Sequence, residues 1–272
     1  MKLGTMVHLG ENVVEKIKDV KKYGLESFQL CCWNMDLMTQ EYADKILEAT
    51  KETGLEISAV WCGWEGEGTW DFVRGPMTLG IVPVYFREVR MKNLKKGSDF
   101  TKMLGVTDMV THMGFIPENP NTDEYRGVVA TIKELAEYCK ANGQYLLFET
   151  GQETPITLKR TILTVGTNNL GINLDPANLL LYGKANPCDA VDIFGEFVRG
   201  VHAKDGEYPT DPSYLGEEKR IGDGRANFPL LIKKLIEKGY NGSITIEREI
   251  DGEKQIEDII YAKKFLEDIL NG

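Results

Sequence analysis

ANGQYLLFETGQETPITLKRTILTVGTNNLGINLD, residues 141–175, reads as a strand, a helix and a second strand. QYLLFE (144–149) is a short apolar run that ends on Glu149, and a helix-length segment follows over 154–166. LGINLD (170–175) is a second apolar run, ending on Asp175. Runs without polar alternation are what parallel strands covered on both faces require.

The same unit repeats outward in both directions. Before it, KLGTMVH (2–8), SFQLCCW (27–33), EISAVWC (56–62) and TDMVTH (107–112) have the character of strands. Helices are expected near 11–23, with Val13, Val14, Ile17 and Val20 on one face, and over 40–53, 83–104 and 122–142. An aromatic, glycine-rich insert, GWEGEGTWDFVRGP (63–76), interrupts the third unit. After it come VRGVH (198–202) and SITIE (243–247), with helices near 186–196, 227–238 and 252–270. Gly24, Gly54, Gly105, Gly143 and Gly239 each follow a helix and precede a strand, as left-handed helix terminators do. Eight strand–helix units without a break in composition predict one α/β domain over residues 1–272, a closed (β/α)₈ TIM barrel. An open doubly wound sheet would call for a glycine-rich phosphate turn, and no GxGxxG follows any strand.

Composition narrows the partners. The chain carries a formal charge of −10 and lacks the basic footprint that nucleic acid requires. No apolar run approaches a membrane span of about 18 residues, and no secretory segment is evident at the N-terminus. The five cysteines are odd in number and form no CxxC pair, which suggests reduced thiols and a cytoplasmic protein.

In such barrels the chemistry lies at the carboxyl ends of the strands. Four successive runs end on Glu149, Asp175, His202 and Glu247, an oxygen-rich set with one nitrogen. That set suits Mn²⁺, Mg²⁺ or Co²⁺ better than a structural zinc. Read singly, Asp175 before Pro176 could cap a turn, and Glu149 could be a paired structural acid. His8 and His112, like His202, fall at strand ends. HAKDG (202–206) adds Lys204, and Asn178 follows Asp175 by three residues. Trp33, Trp61, Trp64 and Trp70 gather around the ends of strands two and three, as a sugar-stacking wall, a lid or an oligomer contact. By strand alternation Arg248 points away from Glu247. The charged, glycine-rich segment 205–226 shapes either specificity or a subunit contact.

The chain resembles the sugar phosphate isomerase/epimerase family, the xylose isomerase-like TIM barrels that include D-tagatose 3-epimerase and inosose isomerase. The resemblance is carried by FETGQETP (148–155), NLDPANLLLYG (173–183), VHAKDG (201–206), LGEEKRIGDGRANFP (215–229) and ITIEREI (244–250). It implies one divalent metal, Mn²⁺ first and Mg²⁺, Co²⁺ or Zn²⁺ as alternatives, on Glu149, Asp175, His202 and Glu247. It also implies that Glu149 and Glu247 exchange a proton beside a metal-bound carbonyl, through an enediolate. His8, Trp61, His112, Glu153, Asn178, Lys204 and Arg248 would then contact a carbohydrate substrate. Epimerases of the family have histidine where this chain has Asn178, which weakens the case for ketose 3-epimerisation in particular. The nuclease branch needs a trinuclear zinc site that three histidines cannot build. The expected activity is isomerisation or epimerisation of a sugar or polyol-derived ketone. A lyase or dehydratase on a keto-inositol or keto-glycoside is the alternative, and a non-catalytic sugar-binding barrel the third reading. A homo-oligomer stays open.

Overall fold

A computed structural model describes residues 1–272. The strands are β1 (Leu3–His8), β2 (Ser27–Cys32), β3 (Glu56–Cys62), β4 (Asp108–Thr111), β5 (Tyr145–Glu149), β6 (Leu170–Leu174), β7 (Val198–Ala203) and β8 (Ile244–Ile246). They pair in parallel, each with its sequence neighbour, and β8 closes the ring on β1 through Leu3 opposite Ile244 and Thr5 opposite Ile246. This is the predicted (β/α)₈ barrel. No helix is long and apolar enough to cross a membrane.

The helices form because each presents one apolar stripe to the barrel. The first, Val13–Lys22, buries Val13, Ile17 and Val20, each contributing about 1.5–3 kcal/mol. The five glycines read as terminators all hold positive φ, from 68° at Gly105 to 86° at Gly239. Two short α-helices went unforeseen: Gly75–Thr78 at the end of the aromatic insert, and Pro176–Leu181 after β6. Residues Asp205–Gly206 and Glu218–Lys219 pair as an antiparallel ribbon beside the rim.

Two irregularities in the ladder shape the barrel interior. Register slips by one residue between β2 and β3 at Phe28/Gln29, and between β6 and β7 at Ile172/Asn173. Such slips bend a strand and redirect side chains. Here Gln29 and Asn173 meet inside the barrel, Gln29 Nε2 donating to Asn173 Oδ1 at 3.3 Å. Gly200 is required beside them, because a Cβ there would lie 2.3 Å from Asn173 Oδ1.

Candidate metal centre and cavity

The four strand ends converge. Glu149 is the last residue of β5, Asp175 and Glu247 come one residue after β6 and β8, and His202 lies near the end of β7. One ligand atom from each falls within 4.8 Å of all the others. Three of the four are essentially buried, and the Glu247 side chain is 15% exposed.

Asp175 has two duties on two oxygens. Oδ1 caps the helix Pro176–Leu181 by accepting from Asn178 N at 2.8 Å. Oδ2 has no hydrogen-bond partner and lies 3.7 Å from His202 Nδ1. The capping role and the ligand role are therefore compatible.

His202 is oriented from below. Its Nε2 lies 2.7 Å from Gln29 Oε1, an oxygen that can only accept. The proton thus sits on Nε2, and the Nδ1 lone pair faces the carboxylates. That nitrogen is 3.0 Å from Glu247 Oε2 and 3.5 Å from Glu149 Oε1, and neither Nδ1 nor Oε2 has a hydrogen-bond partner. Lone pairs opposed at such a distance require a cation or a proton between them. Consistently, burial would lower His202, but Glu149 and Glu247 hold it well above the usual imidazole range.

Charge balance leads to the same conclusion. Glu149, Asp175 and Glu247 face one ammonium, Lys204, whose Nζ is 3.7 Å from Asp175 and 3.4 Å from Glu247. With Glu249, which also pairs with Lys204 at 3.1 Å, three negative charges are left, and a divalent cation would offset two of them. The buried, unpartnered atoms and the hard, oxygen-rich donor set fit such an ion.

The carboxylates differ in their surroundings. Burial opposes ionisation of Glu149, but His112 and His202 hold it well below the usual carboxylate range. Its Oε1 receives Asn178 Nδ2 at 3.3 Å and faces His112 Nε2 at 3.4 Å, while Trp61 Nε1–H donates to Oε2. Glu247 is pulled down to about 2, Lys204 and His202 outweighing burial. Burial pushes Asp175 up to about 6, with Lys204 opposing.

Above this floor opens a cavity of about 290 Å³. Trp33, Trp61 and Trp70 line it, together with Leu181, Tyr182 and Leu215. Trp33 packs 5.0 Å from Trp61 between ring centroids, and Gly63 makes room for it, since a Cβ there would fall 2.3 Å from the Trp33 ring. His8, His112 and Asn178 also line the cavity.

Three of the expected substrate contacts do not line the cavity: Arg248, Glu153 and Lys204, the last buried behind Glu247 and Glu249. Arg248 does not line the cavity: its guanidinium pairs with Glu218 at 2.8 Å and Asp258 at 2.9 Å, because the chain alternates past Glu247. Glu153 is buried but does not line the cavity either, and burial pushes it up to about 7 with His112 opposing. Asp205, in the HAKDG motif, serves the loop instead, accepting from the backbone N–H of Gly206, Gly222, Gly224 and Ala226 at 2.8–3.2 Å. Sequence reasoning overlooked Gln29 and Glu249, the latter pairing with Lys204 at 3.1 Å. Gln29 could have been noticed as a lone polar residue inside an apolar strand.

Comparisons with known proteins agree with this fold. A xylose isomerase domain protein from Planctomyces limnophilus superimposes with a TM-score of 0.91 at 29% identity, covering 99% of this chain and 98% of the other. A D-tagatose 3-epimerase-like protein superimposes with a TM-score of 0.78 at 22% identity, covering 100% and 97%. Inosose dehydratase of Lacticaseibacillus casei is 23% identical over 167 residues, 55% of this chain and 56% of its own. The model of the xylose isomerase-like TIM barrel matches residues 17–269, and the chain belongs to that family.

Proposed function

We propose that the protein is a divalent-metal-dependent isomerase or epimerase acting on a sugar or polyol-derived ketone. The observation that carries this reading is the convergence of Glu149, Asp175, His202 and Glu247 within 4.8 Å at the floor of an aromatic cavity. Asp175 Oδ2 and His202 Nδ1 would hold the ion, and the two glutamates would both hold it and move protons. The bound ion supplies Lewis acidity to a substrate carbonyl and acidifies the neighbouring carbon.

The remaining steps belong to the side chains. Glu149 and Glu247 are kept ionised, so each can accept a proton at neutral pH. One takes the proton from the carbon beside the carbonyl, and the other returns one. Return to the opposite face of the same carbon gives epimerisation; return to the former carbonyl carbon, with the hydroxyl proton passing to the former carbonyl oxygen, gives isomerisation. Asn178 and Trp61 fix the Glu149 carboxylate while this happens. His112, whose Nδ1 is buried without a partner, and His8 at the cavity wall supply contacts for substrate hydroxyls. The indole wall stacks on the apolar face of the sugar.

Elimination is the second reading, favoured by the likeness to inosose dehydratase. The same proton abstraction would then expel a leaving group from the next carbon. Incubating metal-loaded protein in D₂O with ketoses, inososes and 3-keto-glycosides separates the two. Deuterium beside the carbonyl in a new isomer supports the first reading, and loss of water or aglycone supports the second. Glu149→Gln should lower turnover about 10²–10⁴-fold and reduce metal content. If no substrate exchanges and metal content is unchanged by that substitution, the proposal fails.

A further inference from the structure

The charges around the cavity bear on which sugars can enter it. We propose that the cavity selects uncharged hydroxy-ketones against phosphorylated or otherwise anionic ones, with Glu249 as the residue that sets this selectivity. The inference rests on the metal-dependent reading above and narrows its substrate class.

The acidic groups on the cavity wall are Glu149, Glu247 and Glu249, and no lysine or arginine lines it. The two cations that the sequence offered to an anionic substrate, Lys204 and Arg248, are both engaged. Lys204 is buried, its Nζ within 3.1 Å of Glu249, 3.4 Å of Glu247 and 3.7 Å of Asp175. Arg248 is turned outward onto Glu218 and Asp258. With a divalent cation in place, four carboxylates still face that ion and one ammonium, leaving the site net negative. A phosphate entering the cavity meets Glu249 on its wall, a carboxylate whose side chain is 61% exposed.

The apolar part of the cavity favours the same class of ligand. Trp33 and Trp70 are 42% and 40% exposed at the mouth, and Trp61 closes the wall behind them. The Trp61 N–H is committed to Glu149, so this indole presents its ring to a ligand. Ring faces stack on the C–H face of a neutral sugar and offer a phosphate nothing. Glu249 therefore acts twice: it repels anions, and it occupies the ammonium that could have bound them.

The test uses metal-loaded protein, titrated by indole fluorescence and by calorimetry. Uncharged probes are D-fructose, D-tagatose, scyllo-inosose and methyl 3-keto-glucoside; charged probes are the 6-phosphates of the two ketoses and inorganic phosphate. At least one uncharged probe should bind, and every charged probe should bind at least about tenfold more weakly. Glu249→Gln, isosteric and at an exposed position, should narrow the gap by about tenfold, and added salt should narrow it in the native protein by screening the mouth. A ketose phosphate binding as tightly as an uncharged probe would overturn the proposal. So would binding by no uncharged probe, or a Glu249→Gln variant that shifts both classes alike. Deuterium exchange into a sugar phosphate would sink this selectivity and leave the isomerase reading standing. Neutral binding without any exchange would do the reverse.

Discussion

Replacing Gln29 should loosen the metal more than it loosens the fold. Gln29 is 1% exposed, and its Oε1 lies 2.7 Å from His202 Nε2. Gln29→Leu keeps the volume and removes the acceptor. The imidazole is then free to carry its proton on Nδ1, where Glu247 Oε2 at 3.0 Å would accept it. In the native protein Gln29 keeps the remaining ring proton on Nε2 once the ion has displaced the one on Nδ1; without that acceptor the neutral ring holds its proton on Nδ1 instead and competes with ligation. Loss of such an orienting partner weakens metal affinity about 10–100-fold, or about 1.4–2.7 kcal/mol. The apo protein also loses about 1–3 kcal/mol, because Nε2, now a bare acceptor, is left buried without a partner. Competition against a fluorescent chelator reads the affinity, and thermal melts of the metal-free protein read the second effect separately. Gln29→Glu restores an acceptor and should retain the affinity. Unchanged affinity in Gln29→Leu, or equal weakening in Gln29→Glu, would refute the assignment of the Nε2–H tautomer.

Other perturbations test neighbouring parts. Metal affinity should climb with pH through neutrality: His202 is raised above its ordinary value, so the ion displaces a proton, and below about pH 6 Asp175 adds another. Calorimetry in buffers of different ionisation enthalpy should register proton release at pH 7; uptake would contradict the scheme. Asp205→Ala should free the N–H groups of Gly222, Gly224 and Ala226, costing about 2–4 kcal/mol and accelerating hydrogen exchange there, while metal content holds. Arg248→Ala should cost about 1.5–3 kcal/mol of stability through Glu218 and Asp258. Metal affinity should not move, and a loss of it would place Arg248 in the site after all.

The rim of the barrel was legible because its signal is local. Parallel strands must be apolar, so a glutamate closing YLLFE or an aspartate closing LGINLD stands out where the strand leaves the core. The helix stops were legible for a similar reason, since left-handed backbone at Gly54 or Gly143 suits glycine wherever it occurs. The direction of Arg248 also followed from alternation, although its partners Glu218 and Asp258 lie far enough along the chain to be invisible.

What escaped was every relation between distant strands. Gln29 and His202 are 173 residues apart, and their meeting depends on barrel closure between β8 and β1 together with register slips at β2/β3 and β6/β7. No residue type announces such a slip, because the extra residues opposite Gln29 and Asn173 are an ordinary serine and arginine, Ser58 and Arg199. Lys204 illustrates the limit from the other side. Its sequence neighbours suggest a cation available to substrate, but the fold brings Asp175, Glu247 and Glu249 around it and leaves it none to spare. Residue type can therefore indicate that a site is present, whereas the charge the site offers its ligand depends on contacts that exist only once the barrel has closed.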